Sequence, residues 1–213
     1  MNKRDELVRE LSANLETVRP APAPDLSALA WLFGSALFVV ALTHLWGPIR
    51  PNALQQLTTQ PRFLLETLCG VTAIALTAVV AFRTGVPGAL GTGFARTSAV
   101  LMIVWLASYV AGLYSPALEP SMLGKRPHCL WETLVYALPP MLAGFMLVRR
   151  LHPLRPVKTA MVIGLVSGMM PALYMQIACM YVPAHILLFH VLPGMLVSVI
   201  GAAIVWLFLA RGN

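Results

Sequence analysis

Two short stretches concentrate the residue types that do thiol chemistry or bind soft cations: His128 and Cys129 in KRPHCLWE, and Cys179, His185 and His190 in CMYVPAHILLFH. Thiolate and imidazole are the donors that soft and borderline metal ions prefer. Two thiols in an oxidising compartment can also close a disulfide if their Cα atoms come within about 7 Å. A sensor working by oxidation, or by capture of a heavy cation between two thiolates, therefore needs Cys129 and Cys179, with His128, His185 and His190 as auxiliary ligands. At 1.5 Å per helical residue, His190 is expected about 7 Å deeper along its helix than His185. His44 could join the group, and Glu132, one turn after Cys129, offers a carboxylate with an outward reach. The spacing matches no zinc-finger pattern, so the expected metal at Cys129 and Cys179 is transient and no cofactor is expected. No two histidines face each other at the matched depth a bis-histidine haem requires. The plain alternative is that each Cys or His near a helix end fills an interface or satisfies a hydrogen bond. Cys69, between Leu68 and Gly70, reads as small core filler.

The elements that must position these residues are membrane spans. With 58% hydrophobic and 11% charged residues, the chain has too little polar surface to cover a water-soluble globule. Six apolar runs have the length that a hydrocarbon core of about 30 Å demands. They cover roughly 26–46, 63–82, 97–114, 130–148, 159–178 and 186–210. Strands are implausible, because unpaired backbone in hydrocarbon is costly and the runs lack two-residue alternation. The fold class expected is all-α: a polytopic integral membrane protein with six transmembrane helices.

Lys and Arg set its orientation, since short basic loops stay cytoplasmic. An inside N-terminus puts eleven of the 15 basic residues on the inner side and leaves Arg50, Arg62, Lys125 and Arg126 outside. Both termini are then cytoplasmic, and the cysteine stretches lie on the outer side of the membrane. The formal charge of +7 is mostly an inner belt facing anionic lipid, so no direct nucleic-acid contact is implied. The segment before the first span is acidic as well as basic and long for an n-region, unlike a signal peptide. No internal repeat supports a transporter built on inverted halves.

The opening, MNKRDELVRELSANLETVRP, differs from everything after it, holding four of the eight acidic residues. On a helix over 5–18, Leu7, Leu11 and Leu15 fall four apart, and Val8 and Val18 widen the stripe. About fourteen residues is marginal for an isolated helix, so the stripe needs a partner. Arg19-Pro20 ends the helix, and PAPAP at 20–24 follows as a stiff spacer. The partner could be the bilayer surface, the protein's own inner loops, or a groove on a soluble cytoplasmic protein. The division expected is a cytoplasmic segment over 1–24 and a transmembrane domain over 25–213.

Glu66 and Glu132 are the carboxylates nearest hydrocarbon, with Arg62 and Arg126 close by, and intramembrane carboxylates are functional hypotheses by default. Pro139-Pro140, Pro171 and Pro193 should kink their helices. There is no Gly-x-Ser-x-Gly, no His-Glu-x-x-His and no phosphate loop, so the chain is not expected to be an enzyme. GVPGALGTG at 85–93 follows no strand. A disulfide-exchange enzyme would want a Cys-x-x-Cys pair. A small metal-ion carrier or efflux protein using the outer Cys/His cluster stays open, although the span centres offer few ionisable groups.

PRFLLE at 61–66, AFRTGVPG at 81–88, HC at 128–129, LPP at 138–140, RRLHPLRPVKTAMVIGL at 149–165, Cys179 and FHVLPG at 189–194 together resemble the NrsF family. The resemblance implies a six-span inner-membrane negative regulator of an extracytoplasmic-function (ECF) sigma factor of the sigma F type. It implies an N-terminal segment that holds the sigma factor, with Leu7, Val8, Leu11, Leu15 and Val18 as the binding stripe suggested by helical spacing. It also implies that Cys129 and Cys179 sense heavy-metal or oxidative stress such as cadmium or chromate. Cys69 has no assignable counterpart.

Overall fold

The computed structural model describes residues 2–13 and 22–211; Leu15, Val18 and the start of the proline spacer lie outside them. The described residues form an all-α bundle with six helices long and apolar enough to cross a membrane. A first helix, α1 (Lys3–Ala13), precedes the spans. The spans are α2 (Pro24–Trp46), α4 (Pro61–Arg83), α5 (Thr92–Gly112), α6 (Cys129–Val148) with a 3-10 turn to Leu151, α7 (Pro156–Ala178), and a composite sixth. That sixth span runs from α8 (Pro183–Ile186) through a π-helical turn (Leu187–Val191) into α9 (Leu192–Arg211). Proline opens α2, α4, α7 and α8. Its missing N–H falls where a helix has no internal acceptor to lose, and its fixed φ is already helical. The sequence boundaries hold to within a few residues except at α5, which starts at Thr92, five residues ahead of the apolar run. A short helix, α3 (Ala53–Thr59), also occupies a loop that its prolines and arginines mark only as a break.

Six crossings place both ends of the bundle on one face. On the opposite face lie the loops 47–60, 113–128 and 179–182, and they are tied together. The Arg50 amide donates to the Ala178 carbonyl at 2.8 Å, and Ser121 pairs with Tyr181 in an isolated antiparallel bridge. The Tyr181 hydroxyl accepts from the Ala117 amide at 3.1 Å. Gly124 holds φ +78 directly against Arg50, where a Cβ would come within 2.7 Å of the Arg50 Cα. That close approach in left-handed backbone is one only glycine makes cheaply.

α7 is the hub, packing against α2, α4, α6 and α9. Its most apolar stretch is 67% buried while that of α5 is 22% buried, so α7 is the inner helix and α5 faces lipid. The closest pair is α7 with α9. Gly164 and Gly168 of α7 lie against the backbone at Val197 and Gly194 of α9, and a Cβ added at Gly168 would collide with the Gly194 carbonyl. Small residues four apart allow this approach in membranes, where packing rather than hydrophobicity joins helices. Polar side chains inside the spans are absorbed locally: Thr43, Thr67 and Thr77 each donate to the carbonyl four residues back. At the terminal face Arg83 grips Asp25 through two bonds of 2.7 and 2.6 Å, fastening the end of α4 to the start of α2.

Candidate thiol and metal site

The face opposite the termini brings Cys129, Cys179, His185 and His190 together, with one ligand atom of each lying within 4.8 Å of all the others. Cys129 is the first residue of α6 and Cys179 caps the end of α7. The two residues therefore join neighbouring helices from opposite directions. Their sulfurs are 3.5 Å apart, and both thiols are free and buried. Closing a disulfide of about 2.05 Å from there requires a shift of about 1.5 Å. The Cys129 thiol also reaches the Arg126 carbonyl at 3.3 Å, and Cys179 Sγ lies 3.7 Å from His185 Nε2. The hydrogen bond with Cys129 does most to hold the Cys179 thiol below its ordinary pKa; the neighbouring imidazoles add to this, against the opposing effect of burial.

The side chains of His185 and His190 meet although the residues are five apart in sequence. The two rings are in edge contact with centroids 5.2 Å apart, and His185 stacks on Phe189 at 4.8 Å. In a regular α-helix, residues five apart point about 140° away from each other. The π turn at Leu187–Val191 closes over five residues and brings positions 185 and 190 round to one side. Pro193 contributes, because its missing amide leaves the Phe189 carbonyl without its helical donor. The Thr133 hydroxyl lies 3.3 Å from that carbonyl and 3.0 Å from the Cys129 carbonyl, while His190 Nδ1 lies 2.9 Å from the same hydroxyl.

The other candidates lie elsewhere. His128 caps α6 on the rim of a cavity of about 560 Å³ that reaches Cys129 and His185 but is not among the four grouped ligands. His44 bonds the Tyr174 hydroxyl at 2.8 Å. Glu132 does not reach outward: it is buried and holds Arg126 at 2.5 Å, while Arg126 also donates to the Pro48 carbonyl at 2.8 Å. Glu66 pairs with Arg62 at 3.0 Å. Cys69, half-buried, packs against the core.

Sequence reasoning missed three contributors. Thr133 was findable, since four residues after Cys129 is the same helix face. The sequence placed Arg126 near Glu132 without pairing them, because the pair spans a loop and a helix start, which no periodicity announces. Arg50 looked like a loop cation, yet it is 3% exposed, with its guanidinium 5.5 Å from the ring centres of both Phe63 and Tyr181. Its three side-chain nitrogens have no hydrogen-bond partner among the described residues, and burial lowers its pKa. Aromatic faces can hold a desolvated guanidinium by cation–π attraction of about 2 kcal/mol or more.

At the other end of the chain, α1 buries no residue, and Leu7, Val8 and Leu11 are each more than half exposed. Comparison with curated proteins gives no match, and neither does comparison with solved structures. A family model described as NrsF, negative regulator of sigma F, matches residues 11–210 of the 213, nearly the whole chain. The match takes in all six spans and every residue of the cysteine and histidine group. This chain belongs to the NrsF family of negative regulators of sigma F.

Proposed function

We infer that this protein is an anti-sigma factor of the bacterial inner membrane, with both termini cytoplasmic, that sequesters an ECF sigma factor of the sigma F type. The observation that carries this is the pairing of family membership with an exposed apolar stripe: α1 presents Leu7, Val8 and Leu11 outward and, among the described residues, has none that is buried. Leu15 and Val18 extend the stripe in sequence. An amphipathic helix with anchors at helical spacing docks in a groove of a soluble protein, and the acidic residues beside the stripe suit a basic, DNA-binding partner.

Release follows when Cys129 and Cys179, on the periplasmic side, meet a heavy cation or an oxidant. Oxidation draws the start of α6 onto the end of α7, and a captured cation ties the two together at close to their present spacing. Because α7 and α9 touch backbone to backbone through Gly164, Gly168 and Gly194, they move as one body, and their far ends, Pro156 and Arg211, lie on the sigma-binding face. A coupling free energy of about 1 to 3 kcal/mol is the usual scale for such a helix shift.

The test is affinity purification of the full chain from its host, with and without residues 1–19, in a detergent that preserves the complex. A sigma factor captured only with the segment present supports the proposal. A sigma factor captured equally by both forms, or by neither, overturns it.

A further inference from the structure

We propose that Cys129, Cys179, His185 and His190 form a four-coordinate chelate for a divalent cation of the zinc group, with Thr133 as the positioning residue that orients His190. The proposal deepens the sensor role inferred for the two cysteines and rests on it for its physiological meaning, though not for its chemistry.

The distances suit a tetrahedral metal. With metal–sulfur bonds of about 2.3 Å and metal–nitrogen bonds of about 2.0 to 2.1 Å, a tetrahedral site has S···S edges of about 3.8 Å and S···N edges of about 3.6 Å. The sulfurs are 3.5 Å apart, and Cys179 Sγ to His185 Nε2 is 3.7 Å. The four ligand atoms all lie within 4.8 Å of one another, so the most distant must close by up to about 1 Å to reach tetrahedral edges.

The protonation pattern suits it too. A threonine hydroxyl has one proton, and Thr133 has two carbonyls to give it to, those of Cys129 and Phe189. When that proton goes to either carbonyl, Thr133 accepts from His190, so Nδ1 carries the hydrogen and Nε2 holds a lone pair. That Nε2 is fully buried and has no hydrogen-bond partner among the described residues. A buried acceptor left unmade costs about 1 to 3 kcal/mol, and a metal removes the deficit. An imidazole whose far nitrogen is held by an oxygen is the usual second layer of a metal site.

Charge decides the class of ion. Binding one divalent cation displaces two thiol protons, and the product, one cation with two thiolates and two neutral imidazoles, carries no net charge. That neutrality fits a pocket in which Cys129 is 4% exposed and Cys179 and His190 are 0% exposed. Magnesium and calcium want oxygen donors and more of them. Zinc and cadmium accept two sulfurs and two nitrogens. The cavity reaching Cys129 and His185 from outside supplies the entry path. The chelate draws on α6, the end of α7, α8 and the π turn, so filling it fastens the neighbours of α9 to each other.

The test uses the purified full-length protein, reduced, in detergent. Titration with Co²⁺ should give the intense visible bands of a tetrahedral site together with sulfur-to-cobalt charge transfer, and Cd²⁺ should displace the cobalt. ¹¹³Cd NMR on the unaltered protein should report two sulfur and two nitrogen donors, which needs no variant to fold. His190→Ala should weaken Co²⁺ binding by roughly a hundredfold and remove the tetrahedral bands. Thr133→Val should weaken it about ten- to a hundredfold, with Thr133→Ser restoring it. Cadmium bound by sulfur alone, or tetrahedral bands at full strength in His185→Ala and His190→Ala, would overturn the chelate while leaving the cysteine sensor standing. A normal chelate whose filling never releases the sigma factor would do the reverse.

Discussion

The two ends of this molecule are built on opposite principles. At the cluster face, three loops are stitched by backbone hydrogen bonds and Cys129, Cys179 and His190 are buried; ahead of the first span, α1 exposes Leu7 and Leu11 and has no buried residue among those described. One end has buried its functional side chains within the chain, and the other leaves an apolar stripe exposed. A sensor that answers a small ion gains from preformed geometry, because its ligand atoms already lie within 4.8 Å of one another. A segment that holds a protein gains from being left open, at the cost of being marginal as a helix on its own.

Substitutions on the two sides should therefore fail in different ways. The largest effect is expected at Glu132. Glu132→Ala leaves Arg126 buried without its carboxylate, and removing one partner of a buried ion pair costs about 3 to 5 kcal/mol. Thermal unfolding of the detergent-solubilised protein should show it as a large drop in Tm, with sigma-factor retention lost only because the bundle is lost. Leu11→Asp should do the opposite. Leu11 is 61% exposed, so the melting curve should not move, while loss of an interface anchor worth about 2 kcal/mol weakens sigma-factor binding roughly thirtyfold. Unchanged co-purification would mean that the stripe is not the anchor. Gly168→Ala should act on the bundle instead. Its Cβ would collide with the Gly194 carbonyl, so α9 must move off α7, a strain of about 3 kcal/mol or more that alanine's better helix propensity of about 1 kcal/mol only partly offsets. The Tm should fall, and coupling between the two faces should fall with it, read as a weaker response to cadmium.

The contrast also explains what the sequence disclosed. Apolar run length fixes span number, and the spans at Pro24, Pro61 and Pro156 announce their own starts because proline suits a first helical turn. Cys129 and Cys179 were legible because a six-span count puts both at span ends on one face, and the structure adds that they meet there. The histidines were only half legible. Regular helical arithmetic sends His190 about 140° away from His185, and nothing in LLFHV marks a π turn except the proline two residues later. Arg50 was hidden for a different reason, since its burial depends on Phe63 and Tyr181 arriving from distant loops and spans. Local pattern reports on elements; a site assembled at their junctions depends on how those elements deviate from ideal.

The central claim is that the buried face governs the open one, and it is tested most directly by loading the full chain in lipid nanodiscs with its sigma factor under reducing conditions and following dissociation as Cd²⁺ is added. The account predicts release from the unaltered protein and continued retention by the Cys129→Ser/Cys179→Ser variant at the same cadmium concentration. Release from both, or retention by the unaltered protein with cadmium demonstrably bound, would contradict it.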